Sequence, residues 1–184
     1  MKKIGIAAAL ILVVIASGCV SLTYDVKVDK KGEFDKFDIT METSTTVYSL
    51  VNEHIKEKEG KSLRQYVADE GGKFSEVRNG DTVKVKISGV PDENIVVEQV
   101  DGYMVYDADV ESFETHYYLE MPGKIIESNA DVVNGKKAEW HTLDGAGSKL
   151  NVYAKSEIPA TPGFGFFCTT IMLLIAVFGV RKRS

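Results

Sequence analysis

Between residues 20 and 157 apolar and polar positions mostly alternate, and the period lengthens in one stretch only. Leu22, Tyr24, Val26 and Val28 alternate with polar residues, Lys30-Lys31-Gly32 turns the chain, and residues 34–41 return with Phe37, Ile39 and Met41 on one face. A period of two marks a strand with one buried face, so these segments form a predicted hairpin. Val47, Leu50, Val51 and Ile55 then recur at the spacing of a helix face, with Ser44 or Thr45 placed to cap it and Gly60 to stop it. Ser62-x-x-Gln65 reads as a capping box for a second short helix, with Leu63, Tyr66 and Val67 inward and Gly71-Gly72 at its end.

The period of two then resumes. Residues 74–78 and 82–88 flank Asn79-Gly80, and residues 95–100 and 103–106 flank Asp101-Gly102; both dipeptides accept the positive φ of a tight hairpin turn. Val83, Val85 and Ile87 point inward and Lys84 and Lys86 outward, and residues 113–120, 124–128, 138–142 and 150–154 complete the strands. Asp107, Asp109, Glu111 and Glu114 read as a solvated acidic loop, because the run lacks the glycine and the distal glutamate of a calcium-binding loop. The predicted fold class is α+β: antiparallel sheets of hairpins, two short helices inserted after the first hairpin, and an apolar membrane segment at each end.

The two ends carry a different pattern. Lys2 and Lys3 precede an apolar run, residues 4–16, and a small-residue stretch, Ala16-Ser17-Gly18-Cys19, which together read as a signal peptide. Residues 166–180 hold no charge and would span about 22 Å as a helix, or about 27 Å counted from Gly163, close to the ~30 Å of a bilayer core. Arg181, Lys182 and Arg183 follow as a topology signal for the cytoplasmic side. Both basic ends then lie on the inner side of the cell membrane, and the domain between the two apolar segments lies outside, on the cell surface. The chain divides into a signal peptide with its processing site (1–19), an extracellular domain (20–157), a short linker (158–165), and a hydrophobic segment with a basic tail (166–184).

Charge and cysteine usage narrow the chemistry. Residues 19–161 are one domain's worth of chain, and they hold 17 of the 22 basic residues against all 27 acidic ones, a net charge of −10. Such an excess argues against nucleic acid as a partner. The two cysteines, Cys19 and Cys168, fall in the two terminal segments, so the domain between them has no disulfide, zinc ribbon or thiol nucleophile.

Three stretches resemble known families. Ser17-Gly18-Cys19, directly after the apolar run, resembles a lipoprotein lipobox, which makes Cys19 the lipidation candidate; a plain secretory signal is the alternative. Pro162-Gly163-Phe164, followed by the apolar segment and the basic tail, resembles the PGF-CTERM sorting signal of archaeal surface proteins. That resemblance implies an archaeosortase-like processing enzyme that removes the segment and a membrane lipid anchor attached near the tripeptide, by the logic of a GPI signal. The alternative is an ordinary C-terminal membrane anchor.

Between the ends, Leu119-Glu120-Met121-Pro122-Gly123-Lys124-Ile125-Ile126-Glu127-Ser128-Asn129-Ala130-Asp131, then Asn134-Gly135, Glu139-Trp140-His141 and Tyr153-Ala154-Lys155-Ser156-Glu157, resembles the LppM-type lipoprotein domain. Its pattern is a strand, a Pro-Gly turn, Ser-Asn-Ala-Asp, a turn, a Trp strand and a closing strand. Pro122-Gly123 reads as a type II turn in which Gly123 supplies φ > 0, Asn134-Gly135 as a hairpin turn, and Trp140 as a buried ring. The resemblance implies a membrane-anchored α+β ectodomain without known catalytic residues.

The residues assign no catalytic, cofactor-binding or metal-binding position. His54, His116 and His141 are not spaced as metal ligands, and each reads as a residue at the edge of the core. Gly-x-Ser-x-Gly, His-Glu-x-x-His and phosphate-loop motifs do not occur. The expected function is a binding or envelope-interaction domain rather than an enzyme, with a lipid, a glycolipid or another envelope component as ligand and the helix pair as a place for an apolar groove. The alternative is an extracellular metal-dependent or hydrolytic enzyme with a site that the sequence does not group.

Overall fold

The computed structural model describes residues 20–143 and 148–159. The first hairpin forms as predicted from β1 (Ser21–Val28) and β2 (Phe34–Ser44). In α1 (Thr45–Glu59) the Ser44 hydroxyl accepts the N–H of Val47, and the helix stops at Gly60, whose φ of 71° is left-handed. Leu50 is not part of its buried face but is 40 % exposed; Tyr48 is buried beside Val47, Val51 and Ile55 instead. The reason is chemical, since the Tyr48 hydroxyl donates to Glu76 in β3 (Lys73–Asn79) at 2.7 Å while its ring is covered. The second helix, α2 (Leu63–Asp69), carries the reciprocal capping box of Ser62 and Gln65, and the Asn52 side chain of α1 accepts the Leu63 N–H at 3.0 Å.

The remaining strands are β4 (Thr82–Ser88), β5 (Ile95–Val100), β6 (Tyr103–Ser112), β7 (Glu114–Glu120), β8 (Ile125–Ser128), β9 (Val132–Asn134), β10 (Lys137–Thr142) and β11 (Ser148–Glu157). Among the described residues they make two sheets, β3-β4-β2-β1-β7-β10-β9 and β5-β6-β11-β8. The expectation of antiparallel pairing fails at one place: β1 and β7 are parallel, with Tyr24 opposite Tyr117. Their pairing spans five strands and two helices of intervening chain, which local periodicity cannot register.

Three local expectations also change. The acidic run is no loop: β6 continues to Ser112, with Asp107 and Asp109 exposed between buried Tyr106, Ala108 and Val110. The turn between β3 and β4 is Gly80-Asp81, because Asn79 pairs with Thr82, and Gly135-Lys136 likewise turns after Asn134 has paired with Lys137. Gly123 does not adopt a positive φ, so Pro122-Gly123 is not a type II turn. Glycine is required there by closeness, since a Cβ would sit 2.0 Å from the Glu157 carbonyl oxygen.

One face of the large sheet forms the core floor. Register places Leu22, Tyr24 and Val26 level with Met41, Ile39 and Phe37 on one side and with Thr115, Tyr117 and Leu119 on the other. The helices cover the β3-β4-β2 part of this floor, and the inward side of the small sheet (Met104, Tyr106, Ala108, Val152, Ala154) belongs to the same buried cluster. The described chain enters beside Glu114 at the start of β7 and leaves by the far end of that strand. There Met121 N–H bonds Lys136 O, Ile125 N–H bonds Gly135 O, and Glu157 N–H bonds Lys124 O. Entry and exit are thus separated by the length of β7, about 20–25 Å at 3.3–3.4 Å per residue.

Candidate functional site

Ser128-Asn129-Ala130-Asp131 is the point at which the chain passes from the small sheet to the large one, and its side chains bind both. Asn129 Oδ1 accepts the Trp140 Nε1–H at 2.8 Å and the Tyr153 N–H at 2.9 Å, while its Nδ2 donates to the Asn151 carbonyl and side chain, both at 3.0 Å. Ser128 Oγ donates to Tyr153 O and accepts from Ala130 N–H, and Asp131 Oδ2 accepts the His141 N–H at 2.7 Å. Every polar group of this tetrapeptide's side chains therefore joins β11 or β10 or closes the turn itself. Trp140, 2 % exposed, meets Tyr117 edge-on with centroids 5.9 Å apart. The Ser-Asn-Ala-Asp element is thus a fastening between the sheets.

Beneath it lies a tyrosine cluster. Tyr24 stacks on Tyr117 at 4.9 Å, and the hydroxyls of Tyr106 and Tyr117 are hydrogen-bonded to each other across the two sheets. Burial pushes all three phenols well above the ordinary tyrosine pKa, with the charges of Asp92 and Glu111 adding to Tyr24 and the neighbouring tyrosine adding to Tyr117. Burial and Glu76 push Tyr48 up to about 12. These groups stay protonated under ordinary conditions and serve as neutral hydrogen-bonding core residues.

The opposite face of the large sheet is open and polar. Asp25 with Lys36, Asp38 with Lys86 (2.8 Å) and Glu42 with Lys84 (3.5 Å) form cross-strand ion pairs. A hydrogen bond from Lys136 holds the Glu120 carboxyl below its usual range. On the same face β7 and β10 bring His116 and His141 directly opposite each other, with Nδ1 atoms 2.9 Å apart and rings 5.1 Å apart. Reading each histidine singly missed this pair. The available signal was that both adjoin an inward aromatic, Tyr117 or Trp140, and so face outward; which strand pairs with which was not in the sequence pattern. His54 stands apart on α1, with Nε2 buried and without a hydrogen-bond partner.

Among the described residues, no three His, Cys, Asp or Glu side chains are grouped so as to hold a metal ion. A depression of about 460 Å³ lies where the chain leaves the domain, lined by Asp101, Tyr103, Lys124, Glu157, Ile158 and Pro159. Another, of about 290 Å³, lies along β2 beside Lys73 and Pro91. Both are lined by charged and apolar groups together. Cys19, Pro162-Gly163-Phe164 and Arg181-Lys182-Arg183, the residues singled out for lipidation, sorting and topology, lie outside the described residues. No described helix is long and apolar enough to cross a membrane.

No protein-family model matches the chain. An uncharacterized protein of Archaeoglobus fulgidus is 34% identical over 215 aligned positions, which take in 99% of this chain and 98% of the other. The folded domain of LppM from Mycobacterium tuberculosis, solved by NMR, is 8% identical with a TM-score of 0.48, covering 78% of this chain and 91% of that one.

Proposed function

The chain belongs to one family with the Archaeoglobus fulgidus protein, which it matches from end to end, and from that premise we propose that it is a membrane-tethered extracellular domain with a binding role at the cell envelope. The observation that carries this reading is a sequence pattern around a domain with a core of its own. Among the described residues a buried cluster runs from Val20 to Ala154, with Ile158 packed against it, and the two long uncharged apolar runs of the sequence, 4–16 and 166–180, each beside basic residues, lie outside the described residues. Apolar segments beside a folded domain suit export and anchoring. On this reading Cys19 receives lipid, an archaeosortase-like enzyme acts at Pro162-Gly163-Phe164, and the C-terminal anchor becomes lipid. One acyl chain binds a membrane only marginally, so two anchors account for stable retention. The depression at the chain's exit, with Tyr103 and Lys124 in its wall, is the place nearest that anchor for a lipid or glycolipid headgroup.

Because the chain enters and leaves at opposite ends, two anchors would hold the strands along the bilayer rather than upright on it. Intact-mass spectrometry of protein extracted from its native membranes tests the processing. The expected mass lacks both terminal segments and carries lipid; Cys19→Ser removes the N-terminal lipid alone, and alanines at Pro162-Gly163-Phe164 leave a longer chain. Recovery of a C-terminal peptide containing Arg181 to Ser184 from native membranes would overturn the sorting reading and leave residues 166–180 as a plain anchor.

A further inference from the structure

We propose that His116 and His141 form a reversible binding site for a late first-row divalent cation, of the nickel, copper and zinc class, on the open face of the large sheet. Two nitrogens bound at about 2.0–2.1 Å to one ion, at a right angle, lie about 2.9 Å apart. That is the Nδ1–Nδ1 separation of this pair, which a hydrogen bond between the rings spans and which an ion would take over as the shared proton moves to the far nitrogen of its ring. Neutral imidazole is the commonest metal ligand, provided the nitrogen facing the ion carries a lone pair. His141 meets this condition through Glu139, whose Oε2 lies 3.6 Å from Nε2; a carboxylate there favours the proton on Nε2 and frees Nδ1.

The pair is also held in place. His141 N–H bonds Asp131 Oδ2 at 2.7 Å, and the Tyr118 ring packs edge-on against the His141 ring at 5.9 Å. The two imidazoles stand on adjacent strands in fixed register, so their separation is set by the sheet and not by a loop. The side chain of His141 is 37 % exposed, which leaves an ion access from solvent. The described residues supply two nitrogens, and water completes the coordination. An open sphere of this kind belongs to an exchangeable ion, unlike the closed four-ligand sets of structural zinc.

The test uses the full chain in detergent, with Cys19→Ser and Cys168→Ser to remove both thiols, titrated with nickel chloride and with zinc chloride by calorimetry. One ion per chain is expected. His116→Ala and His141→Ala should each weaken binding on the order of tenfold or more, Glu139→Gln about tenfold, and His54→Ala not at all. As a check that needs no substitution, nickel should broaden the ring NMR signals of His116 and His141 before that of His54. Unchanged affinity in both single-histidine variants, or loss of binding in His54→Ala, would overturn the assignment, as would broadening of the His54 signal first.

Discussion

Asn129→Ala removes the side chain that fastens the two sheets, and its cost can be worked from the contacts. Three of the groups it serves, the Tyr153 N–H and the two Asn151 oxygens, lie at partly or fully exposed residues and can return to water. The Trp140 Nε1–H belongs to a ring only 2 % exposed, so it loses its partner with little access to a replacement. A buried donor left unmade costs about 1–3 kcal/mol and the remaining bonds about 1 kcal/mol net, giving about 2–4 kcal/mol in all. With a urea m-value of about 2 kcal/mol/M the unfolding midpoint falls by about 1–2 M. The assay is urea denaturation of residues 20–159 expressed alone, followed by the fluorescence of the single tryptophan and by circular dichroism. Dichroism then serves for Trp140→Phe, which keeps a ring but removes the N–H. In that background Asn129→Ala should cost about 1–3 kcal/mol less, the coupling expected of contacting residues. Additive effects of the two substitutions would refute the reasoning and reduce the Asn129–Trp140 bond to an incidental contact.

Trp140→Ala should lower stability by about 3–5 kcal/mol, and an unchanged melting temperature would take the ring out of the core. Gly123→Ala should cost about 1–3 kcal/mol or more because the new methyl meets the Glu157 backbone; Gly135→Ala, which has open space but a φ of 62°, should cost about 1 kcal/mol, and the reverse order in thermal melts would contradict the close-packing account. The buried tyrosines predict an alkaline limit. Their folded pKa values are raised, so their contribution is whole below the unfolded value of about 10 and is lost as pH rises toward the folded values. Tyr48 adds a fourth proton retained by the folded state up to about pH 12, so stability should fall by about 5 kcal/mol per unit between pH ~10 and ~12, and Tyr106→Phe should reduce that slope by about a quarter, as measured by denaturation at stepped pH.

Local elements were legible and long-range ones were not. Ser44, Gly60 and the Ser62–Gln65 box announced both helices because capping is decided within four residues. Alternation in residues 21–28 and 82–88 identified the inward faces correctly. The parallel pairing of β1 with β7 was invisible, since nothing within either strand names a partner some ninety residues away. Charge misled at Asp107 and Asp109, where the intervening Tyr106, Ala108 and Val110 carried the true period. Gly123 was assigned to a turn on its neighbour Pro122, whereas its constraint comes from Glu157, a distant backbone that no local rule consults. The histidine pair failed for the same reason: each residue could be placed on a face, but only the register of β10 against β7 puts them together.

The position of the first and last described strands has a mechanical consequence. β1 lies between β2 and β7, and β11 between β6 and β8, so each is hydrogen-bonded on both sides. The chain also enters at one pole and leaves at the other. Tension applied through the two ends would therefore run nearly along these strands, across hydrogen bonds that stand roughly perpendicular to them in the antiparallel pairs and slanted in the β1–β7 pair. In that direction a row of bonds shares the load and must fail together, whereas a pull on two ends at the same pole would peel them one at a time. The domain is thus built to resist stretching between its ends more than a terminal hairpin or an edge strand would, a property that force spectroscopy could measure directly.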